Sequence, residues 1–176
     1  MSVLPEYGGA HKRVTAPLWT DDDGGREAAG FKGSTGDCVC RAIAIATGLT
    51  YRRVYSDLAE MSASERKTKR RKRKSHPRTG VRRGVYQRYL FHMGWKWQPT
   101  MHVGQGCKVH LRSQELPAGR LIVALSKHLT CMVDGVVHDT YDCSRDGTRC
   151  VYGYYYLPGG DYGLAVARLF VRGLPR

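Results

Sequence analysis

The chain has 176 residues, 41% of them hydrophobic and 25% charged, which excludes a wholly disordered polypeptide and makes one domain the default. No apolar run approaches the roughly 20 residues of a membrane span, and residues 1–10 lack the apolar segment of a signal peptide. The expectation is a cytoplasmic chain whose six cysteines are free thiols. Its net charge of +14 is uneven: residues 66–83 hold 11 basic residues and no acidic one, and the remainder carries only +3.

Residues 1–30 show little periodicity and are expected to form an extended N-terminal arm, with short strands possible. A single domain then follows over 31–176, with a basic insertion at about 65–84. The polar stretch Gly33-Ser34-Thr35-Gly36-Asp37 gives way to an Ala/Ile-rich run that stops at Gly48. Asp37 suits an N-cap and Gly48 the position just past a helix end. The enclosed helix is apolar on most sides except at Arg41, so it belongs in the middle of a domain. A second helix is expected after Thr50, with Tyr51, Val54, Leu58 and Met61 inward. A third is expected over 81–93, closed by Gly94.

From Trp95 onward the period becomes strand-like. Residues 121–125 suit a buried strand, 129–133 and 136–141 form a hairpin through Asp134-Gly135, 149–157 suit another strand, and 164–171 suit a last one. Helices followed by a mainly antiparallel sheet make an α+β domain.

A thiol nucleophile must be largely ionised near neutral pH, and a helix N-terminus favours the thiolate. Cys38 follows the expected N-cap. Cys40 is turned by about 200°, so one of the two can face a cleft while the other enters the core. A base and a group to orient it are also required. With a two-residue turn, Val133 opposes Val136 and Thr130 opposes Asp139. His128 then shares a face with Asp139, whereas His138 takes the other face.

Asp37-Cys38 opening a central helix, followed by a strand His and a polar third member, resembles the papain-like cysteine peptidases, most closely cell-wall amidopeptidases and bacteriocin-leader peptidases. The blocks GDCVCRAIAIATG, SKHLTCMVDGVVHDTYD and GTRCVYGYYY also resemble a family of small proteins encoded by bacteriophages and prophages. The resemblance implies a papain-like fold and a thiol hydrolase acting on a protein or another amide, isopeptide or ester substrate, as a phage-encoded accessory protein with a host target. It implies Cys38 as nucleophile, His128 as general base and Asp139 as orienter. Such enzymes commonly carry a Gln about six residues before the nucleophile, where this chain has Lys32. The oxyanion is therefore expected to be held by the Cys38 N–H, with Ser34 or Thr35 as further candidates.

The proposed chemistry requires no cofactor or metal. Cys143 and Cys150 flank a turn and could face one another, without a His at zinc-finger spacing, and Cys107 has no assigned role. The basic residues Arg66, Lys67, Lys69, Arg70, Arg71, Lys72, Arg73, Lys74, Arg78, Arg82 and Arg83 admit three roles: a solvated loop, a contact for nucleic acid, or a lid that draws an acidic partner toward a cleft. The rival function is thus a noncatalytic protein that binds nucleic acid or an acidic host protein. Nothing in the sequence fixes the oligomeric state.

Overall fold

Helix α1 (Cys38–Thr47) is the element around which the chain is assembled, in a computed structural model that describes residues 16–69, 72–162, 165–168 and 173–175. Its Val39, Cys40, Ala42, Ile43, Ala44 and Ala46 are all buried, as the Ala/Ile composition requires. It stops where Gly48, at φ 72°, donates its N–H to the Ala44 carbonyl. Helix α2 (Tyr51–Ala63) starts at Thr50, whose side chain accepts from the Arg53 N–H at 3.3 Å. Its buried face carries Tyr51, Val54, Leu58 and Met61, the expected stripe. Helix α3 (Arg83–His92) buries Val85, Tyr86, Tyr89 and Leu90.

Among the described residues, six strands form one mixed sheet: β1 (Trp19–Asp21), β2 (Lys96–Pro99), β3 (Arg120–Leu125), β4 (His128–Val133), β5 (Val136–Asp139) and β6 (Gly153–Tyr156). Their order across the sheet is β1-β5-β4-β3-β6-β2. All neighbours are antiparallel except β1, which runs parallel to β5. The fold is α+β, as expected.

The sheet is covered on both faces. Ile122, Leu129, Cys131 and Tyr155 meet the helices, whereas Leu121, Val123, Leu125, Met132 and Val137 pack with Leu111 and Leu116 in a second core. This double burial explains why β3 reads as an unbroken apolar run rather than an alternating one.

The described part of the N-terminal arm holds one of the short strands allowed for it: β1 extends the sheet, and Ala29 packs on the helical core. Residues 1–15 lie outside the described residues. Two expectations are corrected. The last expected strand, 164–171, is helical over its described residues 165–168, where Ala165 packs on the helical core. The cysteines are not all free. Cys107 and Cys150 form a disulfide with a Cα separation of 5.8 Å. Residues 109–111 pair with 149–151 through Leu111 N–H to Arg149 O at 2.8 Å and Val151 N–H to Val109 O at 2.9 Å. That pairing brings Cys107 to Cys150 and limits β6 to residues from Gly153 on. Cys143 is instead a free thiol buried in the second core. Among the described residues, no helix is long and apolar enough to cross a membrane.

Candidate active site

The N-terminus of α1 meets the β4–β5 hairpin at the floor of a cleft of about 600 Å³ lined by Cys38, His128 and Leu129 among others. Cys38 is the first residue of α1. Cys40 is fully buried on another side of the helix, so the two thiols divide as the helical geometry requires. On the hairpin, Cys131 opposes His138 and Val133 opposes Val136, the register expected from the two-residue turn. That register puts His128 and Asp139 on one face, with His128 Nε2 and Asp139 Oδ2 2.7 Å apart. His138, on the other face, pairs with Asp22 at 3.0 Å.

Asp139 is held from several directions. Its Oδ1 accepts the Thr140 N–H at 2.8 Å and lies 3.6 Å from the Arg41 guanidinium. Its carbonyl accepts the Trp19 indole N–H at 3.1 Å and the Asp22 N–H at 3.0 Å. Strand β1 thereby fixes the backbone of the residue that orients the imidazole. Arg41 also lies 3.2 Å from Asp37, which pairs with Arg26 at 3.0 Å and accepts the Tyr51 hydroxyl proton. Arg26, Asp37, Arg41, Asp139 and His128 form an alternating chain of charges leading to Cys38.

Asp37 occupies the cap position without capping: its side chain accepts no helix N–H, because these partners draw the carboxylate into the interior. The first-turn N–H groups of α1 therefore remain uncapped by it beside the Cys38 sulfur. Burial alone would push the Cys38 thiol up. The hydrogen bond and charge of His128, the Leu129 backbone N–H and the Arg41 charge outweigh it and hold the thiol below its ordinary value. For His128, burial works against the charged form, but hydrogen bonds to Asp139, Cys143 and Cys38 prevail and push the imidazole up to about 11. Asp139 is held below the ordinary carboxyl value, the bond to protonated His128 outweighing burial. These directions favour a thiolate–imidazolium pair. The thiols of Cys40 and Cys131 are pushed far up by burial.

The remaining expected residues divide. Thr35 lines the cleft, but its hydroxyl donates to the Arg78 carbonyl at 2.6 Å. Ser34 is exposed and is not among the cleft-lining residues. The Cys38 N–H is the expected oxyanion donor placed at the helix start.

The basic segment is less detached than its charge suggests. Glu65 accepts from Ser75 and from Arg82 at 3.1 Å, closing the loop at its base. The Arg78 carbonyl accepts the Gly36 N–H at 2.9 Å, docking the returning arm beside Cys38. Thr79, Gly80, Val81 and Arg83 line the cleft. Arg66, Lys67, Lys69, Lys72, Arg73, Lys74 and Arg78 are exposed, and Arg70 and Arg71 lie outside the described residues.

Two neighbours of the site stand outside the expectations from sequence: Arg41, which links Asp37 to Asp139, and Cys143, which lies beside His128. An arginine in an otherwise apolar helix was the signal for the first, since a buried cation requires an anionic partner. Cys143 carried no signal in its own neighbourhood. Tyr141, whose ring lies 5.4 Å from that of His128, also lines the cleft. Among the described residues, two groups have metal-ligating atoms close together: His128, Asp139 and Cys143, and Cys107, His110 and Cys150. The first contains the His–Asp hydrogen bond, and the second contains both disulfide cysteines. A larger cavity of about 810 Å³, lined by Met93, Trp95, Leu157 and Ala165, includes none of Cys38, His128 and Asp139. No family model, curated protein or solved structure matches the chain.

Proposed function

We propose that the chain is a papain-like thiol hydrolase that cleaves an amide, isopeptide or ester bond with Cys38, His128 and Asp139. The observation that carries the proposal is the 2.7 Å contact of His128 Nε2 with Asp139, on a ring that lines the same open cleft as Cys38 and whose charge helps hold that thiol below its ordinary value. With Nε2 committed to Asp139, Nδ1 is the nitrogen left to exchange a proton with sulfur.

The Cys38 thiolate attacks the substrate carbonyl, and the tetrahedral oxyanion is met by the uncapped N–H groups at the start of α1. Collapse breaks the carbonyl–heteroatom bond as the His128 imidazolium gives its proton to the leaving amine or alcohol. This step leaves a thioester on Cys38. Water then attacks the thioester, giving one proton to neutral His128, and the acid product leaves with the thiolate–imidazolium pair restored. Asp139 holds the ring orientation and stabilises its charged form, as in the triad logic of other hydrolases.

The test is the pH dependence of iodoacetamide alkylation at each free cysteine, read by peptide mass spectrometry in wild type and His128→Ala. Selective reaction of Cys38 persisting well below the ordinary thiol pKa of about 8.5, and lost in the variant, is the expected result. A parallel incubation with p-nitrophenyl acetate should leave one acetyl group on Cys38. A Cys38 that titrates like an ordinary thiol, or that reacts no faster than Cys40, overturns the proposal. The noncatalytic binder would then be the function to pursue.

A further inference from the structure

The cleft above Cys38 has one sign of charge. Arg41, Arg83 and Lys127 line it, and no aspartate or glutamate does. Asp37 and Asp139 lie beneath it, 1% and 4% exposed, and their charge is taken up by Arg26, Arg41 and His128. Arg83 and Lys127 differ from Arg41 in being exposed, and among the described residues neither is paired with a carboxylate.

Their placement is specific. The Arg83 guanidinium lies over the Trp97 ring, 4.3 Å from its centroid. This stacking restrains the guanidinium while leaving donors for a ligand. Lys127 sits at φ 54° in the turn immediately before His128. A left-handed conformation suits Gly or Asn and costs a lysine roughly 1 kcal/mol, so local backbone preference does not explain a lysine there. The third contribution is the docked arm of the basic segment, whose exposed cations flank the wall formed by Thr79 and Gly80. Trp97, Tyr141 and Tyr152 supply apolar surface beside these charges.

We infer that the cleft takes an acidic peptide segment, whose carboxylates are received by Arg83 and Lys127 while its backbone lies across Trp97, Tyr141 and Tyr152 toward Cys38. This inference rests on the proposed thiol hydrolase, since the nucleophile gives a peptide carbonyl its reason to be there. A cleft lined by one sign of charge concentrates oppositely charged ligands and speeds their encounter.

The test compares iodoacetate with iodoacetamide at Cys38, in wild type and in the double variant Arg83→Gln/Lys127→Asn. Both positions are exposed, and Asn tolerates the left-handed turn. The rate ratio, divided by the same ratio for glutathione, should exceed one by roughly tenfold at low salt. It should fall several-fold in 0.5 M salt and several-fold in the double variant. The His128 charge is common to both proteins, so it does not produce the difference between them.

Protection of Cys38 from iodoacetamide then identifies the source of the carboxylate. A Glu-containing peptide with an amidated C-terminus tests side chains, an alanine peptide with a free C-terminus tests the terminal group, and an oligonucleotide tests phosphate. Protection by the Glu-containing peptide supports the inference; protection by the alanine peptide alone, by the oligonucleotide alone or by none of the three overturns it. A hyper-reactive Cys38 whose ratio is unchanged in the variant overturns this inference and leaves the hydrolase standing. A Cys38 inert to both reagents overturns both.

Discussion

Replacing Arg41 with Met should destabilise the protein by about 3 kcal/mol, the low end of what removing one partner of a buried ion pair costs. The side chain is 11% exposed and lies 3.2 Å from Asp37 and 3.6 Å from Asp139. At an effective dielectric of about 20, a pair at either distance is worth about 5 kcal/mol before desolvation. Returning the guanidinium to water offsets several kcal/mol of that sum. Neither carboxylate is left without a partner, since Asp37 keeps Arg26 and Tyr51 and Asp139 keeps His128. Urea denaturation at pH 7 is the assay. With a slope of about 2 kcal/mol per molar, the midpoint should fall by about 1.5 M. Asp139 is held below the ordinary carboxyl value, so the stability it contributes is present above about pH 3.9 and is lost as pH falls through its folded value. The deficit of the variant should therefore be steady near neutrality and shrink in acid. A midpoint shift under 0.3 M, or a deficit that grows on acidification, would refute the buried charge chain.

Three further outcomes follow from other parts of the fold. Gly153→Ala would put a Cβ 2.3 Å from a Trp97 ring carbon and 2.5 Å from the Gln98 carbonyl oxygen, so an overpacking cost of about 1–3 kcal/mol is expected in thermal unfolding; an unchanged midpoint would mean that the β2–β6 contact is looser than described. Cys150→Ser should cost about 4 kcal/mol by the loop-entropy relation for cysteines 43 residues apart, matching the effect of dithiothreitol on wild type, whereas a Cys143–Cys150 linkage in a peptide map would refute the pairing. The stability difference between wild type and His128→Gln should be fully present below the unfolded imidazole value of about 6.5 and be lost as pH rises through the folded value of about 11; a difference that grows with pH would refute the assignment of a protonated ring.

The local parts of the site were legible because each has a sequence signature tied to one geometry. Gly48 ended α1, Thr50 opened α2, and Asp134-Gly135 set the β4–β5 register that brings His128 to Asp139. The parts that were not legible depend on contacts distant in sequence. Trp19–Asp21 is three residues long with no alternation in burial, and only its parallel pairing with β5 gives it a place. The disulfide escaped notice because a turn between Cys143 and Cys150 is a local signal, whereas Cys107 reaches Cys150 through a non-local backbone pairing. The basic segment read as detached because charge says nothing about backbone hydrogen bonds. Its docking depends on the Arg78 carbonyl and on buried Pro77 and Val81.

That docking alters what a deletion can test. Residues 66–83 would at first sight be removable as a surface loop, but removing them takes away Val81 from the helical core and Arg82 from Glu65. It also removes the wall of the cleft formed by Thr79 and Gly80. Loss of binding after such a deletion would therefore not distinguish a charge effect from a collapsed site. Neutralising the exposed cations Lys67, Lys69, Lys72 and Lys74 to Gln keeps the backbone bonds of Arg78 and the Glu65–Arg82 clamp. If the segment acts by steering, this variant should weaken the salt dependence of ligand association, leaving the part due to Arg83 and Lys127, while retaining the intrinsic reactivity of Cys38. If the segment is only solvated charge, association and its salt dependence should both stay as in wild type, and attraction of an acidic ligand must then come from Arg83 and Lys127 alone.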